Sequence, residues 1–269
     1  RNHLKETIMA QYSVSRGRHL NKRNDIHEVM MVADKDGNIL NTAGAASNIP
    51  IAAGEVSGYT HINKFGATDC DVTEGTVWDG NDGSVAYPYP DAGLVSIASL
   101  TEVGETVIVD GLDADYNLQS ETIAIGSTGT LTFSRIFRAK MSTVTNASEI
   151  TINQGGGLSA KILAGLGQTL MATYTVPAGK TGYILGIHLG SDKASVNSRM
   201  IYRLFCREIL NGGVFRIKAN LNAAGGQSLD IEYPVPLVVP EKNDIKIDVI
   251  AGQATQVSAT FDIILVDND

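Results

Sequence analysis

Apolar and polar positions alternate with a period of two through most of the chain after residue 60, the mark of strands with one buried face. The pattern is plainest in the last hundred residues, where Phe215, Ile217, Ala219 and Leu221 alternate with Arg216, Lys218 and Asn220. Strands are predicted over 171–176, 182–189, 200–208, 214–221, 228–233, 244–250 and 258–266. Turn residues punctuate them: Pro177-Ala-Gly179, Gly212-Gly213, Gly225-Gly226, Pro234-Val-Pro236 and Ala251-Gly252. Strands recurring about every dozen residues with turn signals between them predict an all-β chain, an antiparallel sandwich or jelly roll.

The same period runs through the middle of the chain. Strands are expected at 106–109, ending at Asp110-Gly111, and at 121–125, ending at Gly126-Ser-Thr-Gly129. Residues 130–141 read as one long strand, with Leu131, Phe133, Phe137, Ala139 and Met141 on one face and Thr130, Thr132, Ser134, Arg138 and Lys140 on the other. Another strand at 150–152 precedes Gly155-Gly156-Gly157, a natural place to end a lobe. The expected division is an N-terminal arm, hairpin and linker over 1–60, a first sandwich lobe over 61–157 and a jelly-roll-like lobe over 158–269.

Upstream the periods change. Residues 4–12 have the spacing of a short helix, with Leu4, Ile8 and Met9 on one side. Residues 28–33 and 38–40 flank Asp36-Gly37, and Asp-Gly between two apolar runs predicts a hairpin, because Gly takes φ > 0 without steric cost. Residues 42–60 are small and turn-rich, as in an extended strap.

Composition supports this picture. Of 269 residues, 28 are Gly and only 19% are charged, which suits many turns and few long surface helices. With 43% hydrophobic residues the chain can fill a core, and no apolar run reaches the roughly 20 residues of a membrane helix. The opening Arg1-Asn-His-Leu-Lys5 leads into no apolar stretch of the secretory kind. A net charge of −8 and a pI near 5.1 argue against nucleic acid as a partner. That charge is divided unevenly. In residues 1–23, six basic side chains (Arg1, Lys5, Arg16, Arg18, Lys22 and Arg23) stand against the single acidic Glu6, giving +5 and leaving −13 for residues 24–269. A basic arm before an acidic body is a candidate anchor on something negative.

Catalytic signatures are sparse. Ala178-Gly-Lys-Thr181 imitates the end of a phosphate loop, but the position that must be Gly is Tyr174. Neither GxSxG nor HExxH occurs. The five histidines, His3, His19, His27, His61 and His188, form no i, i+4 pair, and His188 reads as an ordinary strand residue. Cys70 and Cys206 are far apart and read as buried free thiols. Asp79, Asp82, Asp110, Asp113 and Asp115 gather in two loops, a weak calcium pattern, since hard cations want several carboxylate and carbonyl oxygens. Turn chemistry accounts for them more simply. No cofactor and no catalytic residue are expected. Trp78, Tyr87 and Tyr89 form an aromatic group outside the strands, a candidate exposed contact patch that could anchor an interface or stack on sugar rings.

Three stretches carry a resemblance. The first is His61-Ile-Asn-Lys-Phe-Gly66 with Val77-Trp-Asp79; the second is Gly111-Leu-Asp-Ala-Asp115, Gln119-Ser-Glu121-Thr-Ile and Phe137-Arg-Ala-Lys140. The third is Ala172-Thr-Tyr-Thr-Val-Pro-Ala-Gly-Lys-Thr181 with Phe261-Asp-Ile-Ile-Leu-Val-Asp267. Their order and spacing over residues 50–269 resemble a family of tailed-phage virion structural proteins found in marine and cyanobacterial phages. The resemblance implies a non-enzymatic β-sandwich component of the virion: a head decoration or cement protein, or a head or neck fibre. Its partners would be other virion proteins, with homo-oligomers, trimers among them. A tail-fibre or baseplate module that binds a receptor or glycan is the alternative.

Overall fold

The structure, a computed structural model, describes residues 14–20, 26–33, 39–40, 49–80, 82–83, 85–192, 198–209 and 213–268. It divides into two compact units, 1–60 and 61–269.

The first unit holds a three-stranded meander of β1 (Val14–Leu20), β2 (Ile26–Ala33) and β3 (Ile39–Leu40). Val14 pairs with Val32 and Leu20 with Ile26, antiparallel, and β2 returns through Val32–Leu40 and Ala33–Ile39. The hairpin predicted from Asp36-Gly37 is the β2–β3 connection. Arg16 and Arg18 of the basic segment lie in β1, opposite Met30 and Glu28, so that part of the arm is a paired strand. Arg1, Lys5, Lys22 and Arg23, and the helix expected over 4–12, lie outside the described residues. A single turn, α1 (Ile49–Ala52), follows.

β4 (Tyr59–Cys70) starts two residues ahead of the second unit, which continues with β5 (Gly75–Thr76) and β6 (Asp82–Gly83). Seven strands follow: β7 (Gly93–Ser99), β8 (Thr106–Leu112), β9 (Leu118–Ala124), β10 (Thr128–Phe133), β11 (Arg135–Met141), β12 (Ile150–Gln154) and β13 (Gly157–Ile162). The chain ends with β14 (Thr173–Thr175), β15 (Lys180–Ser191), β16 (Arg199–Glu208), β17 (Phe215–Ala224), β18 (Leu229–Val239), β19 (Asn243–Ala251) and β20 (Thr255–Asp267).

Four sheets result. One large sheet runs β14-β19-β16-β17, with β5 on the same flank of β19 as β14; the other runs β18-β15-β20-β4-β6. Their facing apolar positions fill one core, including Ile184, Ile187, Phe261 and Ile263 from one sheet and Tyr202, Leu204, Ile245 and Ile247 from the other. The smaller pair of sheets runs β10-β7-β12-β13 and β11-β8-β9, around a second core of Val95, Ile97, Val109, Phe133, Ile150 and Ile152. The chain cut expected after Gly157 falls in the β12–β13 hairpin, where Gln154 pairs with Gly157. β4 and β5, ahead of the smaller sandwich in sequence, pair with β20 and β19, which follow it.

The single strand predicted over 130–141 is two strands in different sheets, because the chain crosses between them at Ser134. The Ser134 amide donates to Leu112 O at 2.8 Å, holding the corner. A bulge between Ile136 and Arg138 then reverses the parity. Ile136, Ala139 and Met141 face the smaller core, while Phe137 turns to the larger one and Leu131 is exposed. Pro234 and Pro236, read as a strand end, lie inside β18. They are tolerated because β18 is an edge strand and its pairing with β15 slips there, from Ile184–Leu237 to Gly186–Glu232.

Gly66 shows how closely β4 approaches the segments beside β5 and β14 inside the larger sandwich. Ala172 N donates to Val77 O at 2.9 Å, and a Cβ on Gly66 would stand 2.5 Å from both atoms. Backbone cannot yield as a side-chain tip can. Gly66→Ala is therefore expected to lower stability by about 1–3 kcal/mol, read as a lower urea midpoint at constant m-value.

Candidate functional site

The sequence Asn243-Asp-Ile-Lys-Ile-Asp-Val-Ile-Ala251 alternates, so β19 should bury one face and hydrate the other. Ile245, Ile247, Val249 and Ala251 indeed enter the larger core. The opposite face carries Asp244, Lys246 and Asp248, and all three are buried as well. Arg135 of the smaller sandwich covers Asp244, while Lys246 and Asp248 are covered by each other and by Phe205, Phe215 and Thr76 of neighbouring strands.

Asp244 is its centre. Its carboxylate accepts from Arg135 Nε at 2.9 Å and Nη2 at 3.2 Å, and from Thr175 Oγ1 at 2.5 Å. From the other side Arg207 donates Nε at 2.8 Å and also Nη2. Two guanidinium forks thus share one carboxylate, an arrangement that planar Arg makes and Lys cannot. Arg135 comes from β11 of the smaller sandwich and Arg207 from β16 of the larger, so Asp244 ties the two together. Desolvation disfavours the Arg135 cation, and the Asp244 hydrogen bonds and charge outweigh that, raising its pKa.

Aromatic rings wrap the cations. The Arg207 guanidinium lies 4.4 Å from the Tyr89 ring centroid and 4.5 Å from that of Phe215, and Lys246 Nζ lies 4.7 Å from Phe215 and 5.2 Å from Phe205. Lys246 also pairs with Asp248 at 2.5 Å, and Asp248 accepts from Thr76 Oγ1 at 2.6 Å. The outer rim is a cleft of about 340 Å³, with Tyr89, Tyr116, Arg135 and Arg207 in its wall. Tyr89 and Tyr116 hold φ of +46° and +70°, a conformation that costs side-chain-bearing residues energy and persists only where packing compels it.

The aromatic patch expected on the surface is therefore internal. Trp78 is 1% exposed and Tyr87 5%, both in the smaller core, and Tyr89 is partly covered beneath Arg207. The three rings stack edge to face, with centroids 5.0 Å apart for Trp78–Tyr87 and 4.7 Å for Tyr87–Tyr89. Trp78 is held there by a backbone bridge to Met171, also of the smaller core, and by its Nε1, which donates to Val85 O at 3.2 Å.

The acidic loops are used as turn chemistry. Asp113 accepts the amides of Asp115 and Asn117, each at 2.8 Å, which lowers its pKa, the Asn117 amide contributing most. Asp110 accepts from Ser120 Oγ at 2.7 Å. Asp115 is exposed, and the side chain of Asp82 lies outside the described residues. Asp79 is buried and accepts the amides of Leu170 at 2.8 Å and Lys161 at 3.4 Å; burial pushes its pKa up to about 7. Among the described residues no group of three or more His, Cys, Asp or Glu is placed to hold a metal ion. Cys70 and Cys206 are free and buried, and burial pushes both thiols up to about 11.

Sequence reading missed Arg135, Arg207 and Asp244 altogether. Each sits in an ordinary alternating strand, and nothing local marks a polar face as one that another sandwich will cover.

No family model and no curated protein matches the chain. Among solved structures, a chain of the Cowpea mosaic virus top component, naturally occurring empty particles, is 8% identical with a TM-score of 0.23, over 64% of this chain and 80% of that one. A chain of the infectious bursal disease virus Gx strain is 9% identical with a TM-score of 0.24, over 78% of this chain and 71% of that one. A chain of T=1 particles derived from infectious bursal virus is 13% identical with a TM-score of 0.24, over 79% and 70%. All three are virus structures and none is a tailed phage. Likeness at these scores carries no argument about function.

Proposed function

We propose that this chain is a non-enzymatic structural component of a tailed-phage virion, a head decoration or cement protein or a head or neck fibre, anchored through its N-terminal segment. The observation that carries the reading is the division of the chain. A small N-terminal unit, residues 1–60, opens with the six basic side chains of residues 1–23, and a separate acidic body is built from two β-sandwiches tied by a buried ion network. Sandwiches with filled cores and a stapled junction suit a part that must keep its shape outside a cell, and the sequence resemblance over residues 50–269 points the same way. The glycan-binding alternative needs Trp78 and Tyr87 as an exposed stacking platform, and both rings are buried. The assembly would be a homo-oligomer, a trimer, whose mass sedimentation of the purified protein reads directly.

The test is incorporation into particles. Two variants separate charge from structure: deletion of residues 2–23, which also removes β1, and a sixfold Lys/Arg→Gln replacement at Arg1, Lys5, Arg16, Arg18, Lys22 and Arg23, which retains the chain. Both are expected to lower incorporation by at least about tenfold, equivalent to roughly 1.4 kcal/mol of attachment. Undiminished incorporation of either variant rejects the anchor.

A further inference from the structure

A second cleft, of about 450 Å³, opens where β4 meets β8 and β11. Lys64 and Tyr174 line it, and both are polar side chains that the fold has buried and under-used. Lys64 is 5% exposed, and its Nζ donates one hydrogen bond, to Phe137 O at 2.5 Å. No carboxylate lies within ion-pair distance of it among the described residues. Tyr174 is 3% exposed, and its hydroxyl has no hydrogen-bond partner. A buried donor left unpaired costs free energy, and native structures rarely tolerate one without a use. The Tyr174 ring packs tilted against that of Phe137, with centroids 4.4 Å apart, and the Phe137 carbonyl accepts the Lys64 hydrogen bond, so both side chains are tied to the same residue of the wall.

The rest of the lining says what would fit. Ile62, Leu118 and Phe137 supply apolar surface, and Arg138 adds a fixed positive charge, held over the Phe65 ring at 5.4 Å. His61 stands at the same cleft, engaged with Asp262 at 2.9 Å. Asp110 is the acid in the lining, and it is already engaged by Ser120 at 2.7 Å and Lys140 at 3.7 Å.

We infer that this cleft binds a small organic carboxylate with an apolar body, its oxygens taking the Lys64 amine and the Tyr174 hydroxyl while the body lies on Ile62, Leu118 and Phe137. Such a ligand supplies the two things the site lacks: an acceptor for the orphaned phenol and a counter-charge for the amine. Burial and the neighbouring Arg138 together hold Lys64 down to about 7, against the weaker upward pull of Asp79 and Asp110. At about pH 8 the empty site is therefore mostly neutral amine, and an arriving carboxylate draws it back to ammonium. Binding should take up close to one proton per site from solvent.

The experiment is calorimetric titration of the full chain with benzoate at about pH 8, in two buffers of different ionisation enthalpy, with inorganic phosphate as the comparison. Saturable benzoate binding with proton uptake near one, and at least about tenfold weaker phosphate binding, is the expected result. Tyr174→Phe removes an unpartnered hydroxyl and should leave the melting temperature unchanged or raised while weakening benzoate about five- to tenfold. Lys64→Met should abolish both binding and proton uptake; if it does not fold, Tyr174→Phe decides alone. No saturable benzoate binding, binding without proton uptake, equal affinity for phosphate, or a Tyr174→Phe variant that binds as wild type would each overturn the inference.

Discussion

Asp244→Asn is expected to remove about 3–5 kcal/mol of folding stability, a large part of the 5–15 kcal/mol that holds a typical domain together. The carboxylate accepts from both nitrogens of two Arg forks and from the Thr175 hydroxyl. An Asn side chain offers one oxygen and turns an NH₂ toward a guanidinium. Two cations, with side chains 13% and 19% exposed, then face each other with no counter-charge. Equilibrium urea unfolding, followed by the single Trp78 in the smaller core, measures the loss. Thr175→Val, which removes one donor and leaves the ion triad intact, should cost only about 1 kcal/mol. An Asp244→Asn loss as small as that of Thr175→Val would mean that water, and not the carboxylate, solvates the two arginines.

Lys64→Met should do the opposite and stabilise the protein, in a way that depends on pH. An unfolded lysine titrates near 10.4, whereas burial holds Lys64 down to about 7 in the fold. Between those values the unfolded chain binds the extra proton. Wild-type stability is therefore lost as pH falls from about 10 to about 7, and the loss is complete below the folded value. Met of similar volume carries no such cost, so the advantage of the variant grows over that interval and then levels off. Its ceiling is several kcal/mol, less about 1 kcal/mol for the lost bond to the Phe137 carbonyl. Asp79 has the reverse dependence. Burial raises it to about 7, so its stabilising neutral form is lost as pH climbs from about 4 through 7. Comparison of wild type and Lys64→Met at matched pH cancels most of that background. A difference that stays flat from pH 7 to 10 would show that the amine remains ionised and hydrated in the fold.

Much of the fold was legible in the chain. Alternation over 200–208, 214–221, 244–250 and 258–266 foretold β16, β17, β19 and β20 to within a few residues, and Asp36-Gly37 foretold the β2–β3 return. Partners and corners were less legible. Residues 130–141 alternate well enough to pass for one strand, because a strand that changes sheets at Ser134 keeps its local period up to the bulge at 136–138. Trp78, Tyr87 and Tyr89 looked like a surface patch because they stand outside any alternating run. Their burial comes from long-range contacts, with Met171 behind Trp78 and Arg207 above Tyr89.

Taken by itself, the sequence determined the class of structure, since side-chain alternation, turn glycines and apolar content are set residue by residue by backbone stereochemistry and hydration. It also determined where charge lies along the chain. Only the tertiary structure decided which polar faces meet water. The Asp244, Lys246 and Asp248 face of β19 has the pattern of a hydrated surface, yet all three are buried, Asp244 beneath Arg135 of a second sandwich made from a different stretch of chain. Nothing local reports the burial of Asp244, because its charge is balanced by Arg135 and Arg207, residues 109 and 37 positions away in the chain.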